Sequence, residues 1–486
     1  MTHRSSFLKL ICLTGIVLGT AQYSKLYAQV FKAGASISNI TPELDKGIVG
    51  NFGTPPPATH IHDQLSARSL VLDDGARKLV FVICDNVSIN REVFDAAKRA
   101  LQAKTGIPAD HILMSSTHTH SGTSAGGEGD KRREWRPHEP LDEYQQFLAN
   151  RIVDGVRVAL NNLEPARIGW GKGSVPQHVF NRRWKMKPGT PTKNPFGMSD
   201  QAVMNPGIGN PNLLEPAGPT DPEVSFISVQ STSGRPIALL GNYSLHYVGG
   251  LPSDHISADY FAVFADRVQE LLKADRQDTP FVGIMSNGTS GDVNNVNVKG
   301  STQKLPHYQK MKTVAYDVAE EVIRVHKTIK HQDWVELKAM QTELTLKVRR
   351  PDDKLMQWAN AVLAQPADAK PNHPLEKTYA QRTIQLHKWP ESIPVIIQAF
   401  KIGDLGIAAI PFETFAETGL EIKAKSPFKS TFTIELANGG YGYLPTPEQH
   451  KMGGYETWLG TNRVETEASR KIVSELLNQF SKLKLP

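Results

Sequence analysis

Cysteine is nearly absent from this chain: there are two in 486 residues, Cys12 and Cys84. Cys12 lies in an N-terminal segment expected to be removed, which would leave no partner for an internal disulfide, so a packed core must hold the fold. Cys84 closes the apolar run Leu79-Val80-Phe81-Val82-Ile83 and reads as a small core residue rather than a nucleophile. Long hydrophobic runs are missing as well. Leu10 to Ala21 is broken by Thr and Gly and is too short to span a membrane. With Arg4 and Lys9 before it and Leu26-Tyr27-Ala28 after it, residues 1–28 read as a secretory signal peptide. A secreted or periplasmic protein without a stable membrane span in its mature chain is therefore expected. Charge of one sign is also scarce. The formal net charge of +6 falls to +3 without Arg4, Lys9 and Lys25, which makes no case for nucleic acid as a partner. There is no internal repeat, no low-complexity tract and no compact zinc signature such as HExxH.

What is present is an alternation of strand and helix patterns. Leu79–Ile83 is a continuous apolar run, Glu92 to Lys104 has helical spacing closed by Gly106, and Ile112-Leu113-Met114 is apolar again. Further strands are predicted at 224–229, 237–243, 281–285, 335–348, 395–402, 406–410 and 431–436. Helices are predicted at 142–163, 258–272, 311–325 and 470–483, with a charged helical stretch over 352–386 broken near Pro366–Pro374. Residues 126–140 read as a surface loop, and Trp184 to Pro222, rich in Pro, Gly and Asn, as irregular chain. No composition shift marks a second domain, so residues 29–486 are expected to form a single large α/β domain of mixed β-sheets flanked by helices.

The sharpest chemical signal is Ser115-Ser116-Thr117-His118-Thr119-His120-Ser121-Gly122, at the end of an apolar run. On an extended segment alternate side chains share a face, so His118 and His120 are predicted to lie side by side. Four more polar clusters end apolar runs: Asn242 to His246, Asn287 to Asn295, Pro411 to Thr414, and Asn438 to Tyr443, trailing to Tyr455-Glu456. Strand after strand ending in His, Glu, Tyr or Asn points to convergence on one site. Imidazoles with a carboxylate suit a hydrolytic zinc site. Taken singly, each residue keeps a structural reading: His246 as a core histidine, Glu413 as a helix cap, Tyr443 as packing.

The order of these motifs resembles the neutral (non-lysosomal) ceramidases: Ile40-Thr41-Pro42, Ser116 to Gly122, Asn181-Arg182, the His246 segment, Gly291-Asp292-Val293, Pro411-Phe412-Glu413, and Gly442-Tyr443 followed by Tyr455-Glu456. The likeness spans nearly the whole mature chain. It implies that His118, His246, Glu413 and Tyr443 ligate one zinc ion, while His120, Arg182 and Tyr455 surround the open position and bind the polarised carbonyl and leaving group. The implied reaction is hydrolysis of the amide of an N-acyl sphingoid base, with the metal acting on water and carbonyl and fixed donors stabilising the oxyanion.

One mismatch stands out. Where the family has Gly-Asp-Val-Ser-Pro-Asn, this chain has Gly291-Asp292-Val293-Asn294-Asn295, so Asn294 replaces the serine treated as catalytic. An obligatory serine nucleophile would make the protein inactive as an amidase. Attack by metal-activated water would let Asn294 serve as a hydrogen-bond donor toward another substrate. Ser290 lacks the surroundings of a nucleophile elbow. The chain also ends soon after the tyrosine motifs, and the immunoglobulin-like domain usual in the family is not expected. The substrate is thus expected to be a small molecule, a lipid or a glycan. A zinc-dependent hydrolase of amides or esters is the leading reading. The alternatives are a lyase or hydrolase on an acidic glycan, and a metal-holding binding protein without catalysis. Arg132, Arg133, Trp135 and Arg136, with Arg182, Arg183 and Trp184, offer cations and aromatic faces for an acidic or sugar-like ligand, though solvated loop charge is the commoner role for such residues.

Overall fold

A computed structural model describes residues 1–2 and 30–485, apart from 45, 51–55, 128–133, 138–139, 277 and 302–304. All but the first two residues of the expected signal peptide, and Arg132 and Arg133, lie outside the described residues.

Two stacked sheets organise the chain. The larger has eight strands: β1 (Lys32–Asn39), β2 (Ser66–Asp73), β3 (Lys78–Cys84), β4 (Ile112–Ser116), β5 (Glu164–Ser174), β6 (Glu223–Ser231), β7 (Pro236–Tyr243) and β8 (Val282–Asn287), in the order β8-β7-β6-β5-β1-β2-β3-β4. Its two outer pairs, β7 with β8 and β3 with β4, are parallel, and the interior pairings are antiparallel. The smaller sheet runs β9 (Leu337–Lys347), β10 (Ser392–Ile402), β11 (Leu405–Ile410) and β12 (Ser430–Glu435), with β11 and β12 parallel. Between the sheets lie Phe81, Leu113, Ile227, Leu240 and Ile284 from one and Phe400, Ile407, Phe432 and Ile434 from the other. The rings of Phe81 and Phe400 sit 5.3 Å apart. Each such fully buried side chain contributes about 1.5–3 kcal/mol, which makes this seam the main tie between the layers.

Helices cover both outer faces. α1 (Arg91–Thr105) and α2 (Glu143–Asn161) lie over β2 to β4, while α3 (Asp259–Leu272) and α4 (Gln309–His326) lie over β6 to β8. Beyond the smaller sheet, α5 (Asp353–Leu363) and α6 (Glu376–His387) fill the stretch whose break was predicted, α9 (Ala468–Lys484) packs on β9 and β10, and α7 (Ala416–Lys425) lies against β12 and α9. A short α8 (Pro447–Met452) precedes the Tyr455 turn. The mixed α/β class with flanking helices is as expected. Cys84 is fully buried, and burial pushes its thiol far up, as suits a core residue.

Two local expectations fail. Residues 184–222 are not irregular throughout: Arg183–Met186 pairs antiparallel with both Ala202–Met204 and Leu213–Pro216. These strands are three or four residues long and are separated by turns with glycine at positive φ, so no periodicity develops in the sequence. The second failure concerns the histidine pair. β4 ends at Ser116, and His118 has φ +68°, in the left-handed region. The imidazoles do meet, but through a turn that reverses His118 rather than through strand alternation.

Candidate metal centre and active site

The site forms where the parallel strands end. β4 leads to His118 and His120, β7 to His246, β8 to Ser290, Asp292 and Asn294, β11 to Glu413, and β12 to the loop that returns at Tyr443. The two sheets are joined at this rim, where Ser116 N–H donates to the Leu436 carbonyl at 3.3 Å and Asn438 N–H to the Met114 carbonyl at 2.8 Å. A left-handed turn at a non-glycine residue costs about 1–3 kcal/mol. His118 is held in it by its N–H donating to the Asn86 carbonyl at 3.0 Å and by its Nδ1 against the Val87 carbonyl at 2.7 Å. With Nδ1 turned to a carbonyl, Nε2 carries the lone pair and faces inward.

His246 is arranged the same way, its Nδ1 lying 3.2 Å from the Ser290 carbonyl. The Nε2 atoms of His118 and His120 are 3.0 Å apart, and Glu413 Oε2 lies 3.3 Å from His118 Nε2 and 4.0 Å from His246 Nε2. His118, His120 and His246 offer ring nitrogens all within 4.8 Å of one another. Ligand atoms about 2.0–2.2 Å from a tetrahedral ion lie about 3.4 Å apart, so this spacing is that of a metal-binding set. The buried atoms His246 Nε2 and Glu413 Oε2 have no hydrogen-bond partner among the described residues. Such orphaned acceptors are costly unless a cation sits among them. The donors present therefore fit a divalent metal ion.

Glu413 and Tyr443 are brought side by side by a parallel bridge, Glu413–Thr414 with Tyr443–Leu444. Burial raises the Tyr443 phenol well above its ordinary value, and the neighbouring Glu413 carboxylate pushes it the same way. Burial pushes the Glu413 carboxyl up, but His118, Tyr443 and Arg182 together hold it below the usual carboxylate range. Burial, reinforced by His118 and Arg182, keeps His120 and His246 neutral.

Arg182 is buried beside this cluster, its guanidinium 5.3 Å from the Tyr443 ring centroid. Its Nε donates to Glu456 Oε1 at 2.9 Å, while Arg183 Nη1 donates to Glu456 Oε2 at 2.6 Å. Arg182 Nη2 has no partner among the described residues. Tyr455 packs against Tyr443 at 5.8 Å between ring centroids. Asn294 lies on the rim of a cavity of about 220 Å³ that Arg182 and His246 also line. All eight residues singled out from the sequence thus converge on one place.

Other motif positions have structural work. Asp292 accepts from Asn181 Nδ2 at 2.8 Å and from Ala416 N–H at 2.9 Å, tying the Arg182 segment to the start of α7. A Cβ on Gly291 would fall 2.5 Å from the Glu413 carbonyl oxygen, so only glycine fits there. Arg183 is wholly buried on Glu456, Trp184 Nε1 donates to the Asn181 carbonyl at 3.1 Å, and Trp135 packs on Trp389. None of these three is a solvated loop residue.

Glu435 carries an important role that sequence reasoning missed. It is fully buried, accepts from Ser290 Oγ at 2.7 Å and from Thr414 N–H at 2.7 Å, and so joins the Ser290 and Glu413 segments. Its signal was an acid inside the apolar strand pattern Phe432 to Leu436. Tyr247 was missed too; its ring stacks on His120 at 3.8 Å and 11°. Ser290, whose hydroxyl is committed to Glu435, is not displayed as a nucleophile.

Fold and site together define a two-sheet α/β protein with a buried histidine–carboxylate–tyrosine centre at the strand ends. The sequence model described as neutral/alkaline non-lysosomal ceramidase, N-terminal, matches residues 31–313, and the chain belongs to that family. Neutral ceramidase A of Dictyostelium discoideum is 23% identical over 286 residues, which cover 56% of this chain and 37% of that relative's length. Among solved structures, neutral ceramidase from Pseudomonas aeruginosa superposes with TM-score 0.68 at 17% identity, over 94% of this chain and 74% of the other. A ceramidase complexed with C2 gives 0.66 at 16% identity, over 94% and 75%. At these identities the superpositions show the shared fold.

Proposed function

We propose that this chain is a zinc-dependent hydrolase that cleaves an acyl bond, an N-acyl amide of ceramide type or an ester, outside the cytoplasm. The observation that carries this reading is the pair of buried, unpartnered acceptors, His246 Nε2 and Glu413 Oε2, 4.0 Å apart beside His118. Family membership supports amide hydrolysis as the reaction type. His118, His246, Glu413 and Tyr443 would hold the ion, and His120 Nε2 faces the same point. A zinc ion so held supplies a Lewis acid and lowers the pKa of water toward neutrality.

The chain's own groups account for the rest. Arg182, kept cationic by Tyr443 and Glu456 despite its burial, has Nη2 without a partner among the described residues, and its charge can neutralise a developing oxyanion. His120 is neutral and can take a proton at its ring and return it to the leaving group. Tyr247 keeps that ring in place by stacking, and Glu435 holds the Ser290 and Glu413 segments together. No serine nucleophile is needed, which accommodates Asn294.

Among the described residues no helix is long and apolar enough to cross a membrane. Export rests on the reading of residues 1–28 and is tested by sequencing the N-terminus of the mature protein. For the reaction, metal content is measured together with hydrolysis of a fluorescent short-chain ceramide before and after chelation. About one zinc per chain and chelator-sensitive turnover are expected, and His118→Ala should lose the metal. Equal zinc content in that variant and wild type would remove the ligand assignment. Zinc without ceramide turnover would move the search to polar amides, esters and acidic glycans.

A further inference from the structure

The position where this chain departs from its family is tied to a residue on a different loop. Asn294 Nδ2 donates to Asn205 Oδ1 at 2.7 Å, and Asn294 Oδ1 accepts from Val296 N–H at 2.9 Å, which holds its carboxamide in one orientation. Asn205 has φ +48° and its N–H donates to the Arg182 carbonyl at 2.8 Å, so the loop that bears it is fastened to the site arginine. A second tie, Gly209 N–H to the Val298 carbonyl at 2.9 Å, closes the same two loops farther along. The paired amides lie on the rim of the cavity that His246 and Arg182 line.

At about 220 Å³ that cavity is smaller than the roughly 300–1,000 Å³ that encloses a drug-sized ligand, so only one end of a substrate enters it. Arg182, Asn205, Asn294 and Asn295 offer polar groups, with Ile208 and Val248 between them. Asn295 Nδ2 is occupied, donating to the Tyr247 and Val248 carbonyls at 3.3 and 3.1 Å. Asn205 Nδ2 has no acceptor among the described residues, and it presents two N–H donors at the rim.

We infer that the Asn205–Asn294 pair is a clasp that sets substrate choice, admitting a short, oxygen-bearing acyl end and rejecting a long alkyl chain. The proposal rests on the acyl-hydrolase reading above. An alkyl chain drawn past the clasp would cover amide groups without pairing them, whereas a carbonyl or hydroxyl oxygen would accept from Asn205 Nδ2. One unpaired buried amide is enough for a discrimination of about tenfold.

The test compares kcat/KM for N-acetyl and N-octanoyl derivatives of one soluble fluorogenic amine, on metal-loaded wild type and on Asn205→Ala and Asn205→Leu. Wild type should favour the acetyl compound by about tenfold or more. Both variants should bring the ratio close to one while keeping metal content and circular dichroism. A wild-type preference for octanoyl, or a ratio unchanged in both variants, overturns the clasp and leaves the hydrolase reading in place. No turnover by metal-loaded wild type of either compound, or of the acetyl and octanoyl esters of the corresponding fluorogenic alcohol, overturns both.

Discussion

Replacing Glu456 by Gln keeps the shape of the side chain and removes the charge that two buried arginines share. Arg182 Nε and Arg183 Nη1 lie 2.9 and 2.6 Å from its two oxygens, and the side chains are 6%, 0% and 0% exposed for Arg182, Arg183 and Glu456. No water can screen or replace the lost charge, so the effect is that of breaking a buried pair. Complete removal of one partner costs about 3–5 kcal/mol. Gln retains one acceptor oxygen but turns an amide N–H₂ toward the other guanidinium, so a loss of about 3 kcal/mol is expected. That is a sizeable part of the roughly 5–15 kcal/mol that holds a typical domain folded. Arg182 also loses the acceptor that fixes its Nε, and kcat should fall by about a hundredfold if the guanidinium stabilises an oxyanion. Urea unfolding, followed by midpoint and slope, reads the first effect, and single-turnover hydrolysis reads the second. A shift below about 1 kcal/mol with unchanged kcat would refute the reasoning about both the buried charge and the arginine it fixes.

Gly291→Ala places a methyl group 2.5 Å from the Glu413 carbonyl oxygen and 2.8 Å from its carbonyl carbon, so the Glu413 backbone must move. Loss of most bound metal and destabilisation of about 2–3 kcal/mol are expected, measured by metal analysis and denaturant titration; full metal content would show that this contact is relieved elsewhere. Lys98 gives a pH dependence. Burial holds its ammonium down to about 7 from 10.5, and its Nζ donates to Asn438 Oδ1 at 2.7 Å. Between those values the unfolded chain binds more protons than the folded one, so stability should rise as pH goes from 7 to 10.5, by about 5 kcal/mol at most, and be flat in this respect below 7. Lys98→Met should lack that slope; an identical stability profile for both proteins would show that the lysine is charged when buried.

Much of this fold was legible because the parallel strands are buried on both faces and read as continuous apolar runs, such as Leu79–Ile83 and Gly406–Ile410. β1, β2 and β5 escaped notice because Gly, Ser and Arg interrupt their sequences. The structure supplies the reason at Gly34 of β1 and Gly155 of α2, where an added Cβ would strike the facing element. Close approach of α2 to the sheet requires small residues, and small residues erase the hydrophobic signal.

By themselves, residue types and their placement after apolar runs determined that histidines, a carboxylate and a tyrosine would end successive strands. Tertiary structure alone decided how they meet. His118 reaches His120 through a left-handed turn held by two carbonyls, Glu413 reaches Tyr443 through a parallel bridge between segments some thirty residues apart, and Glu435 and Glu456 tie site loops from positions that look like strand interior and plain loop. The Asn205–Asn294 clasp belongs to the same class. Hydrogen bonds between segments that are remote in sequence depend on register and loop path, which no local pattern encodes.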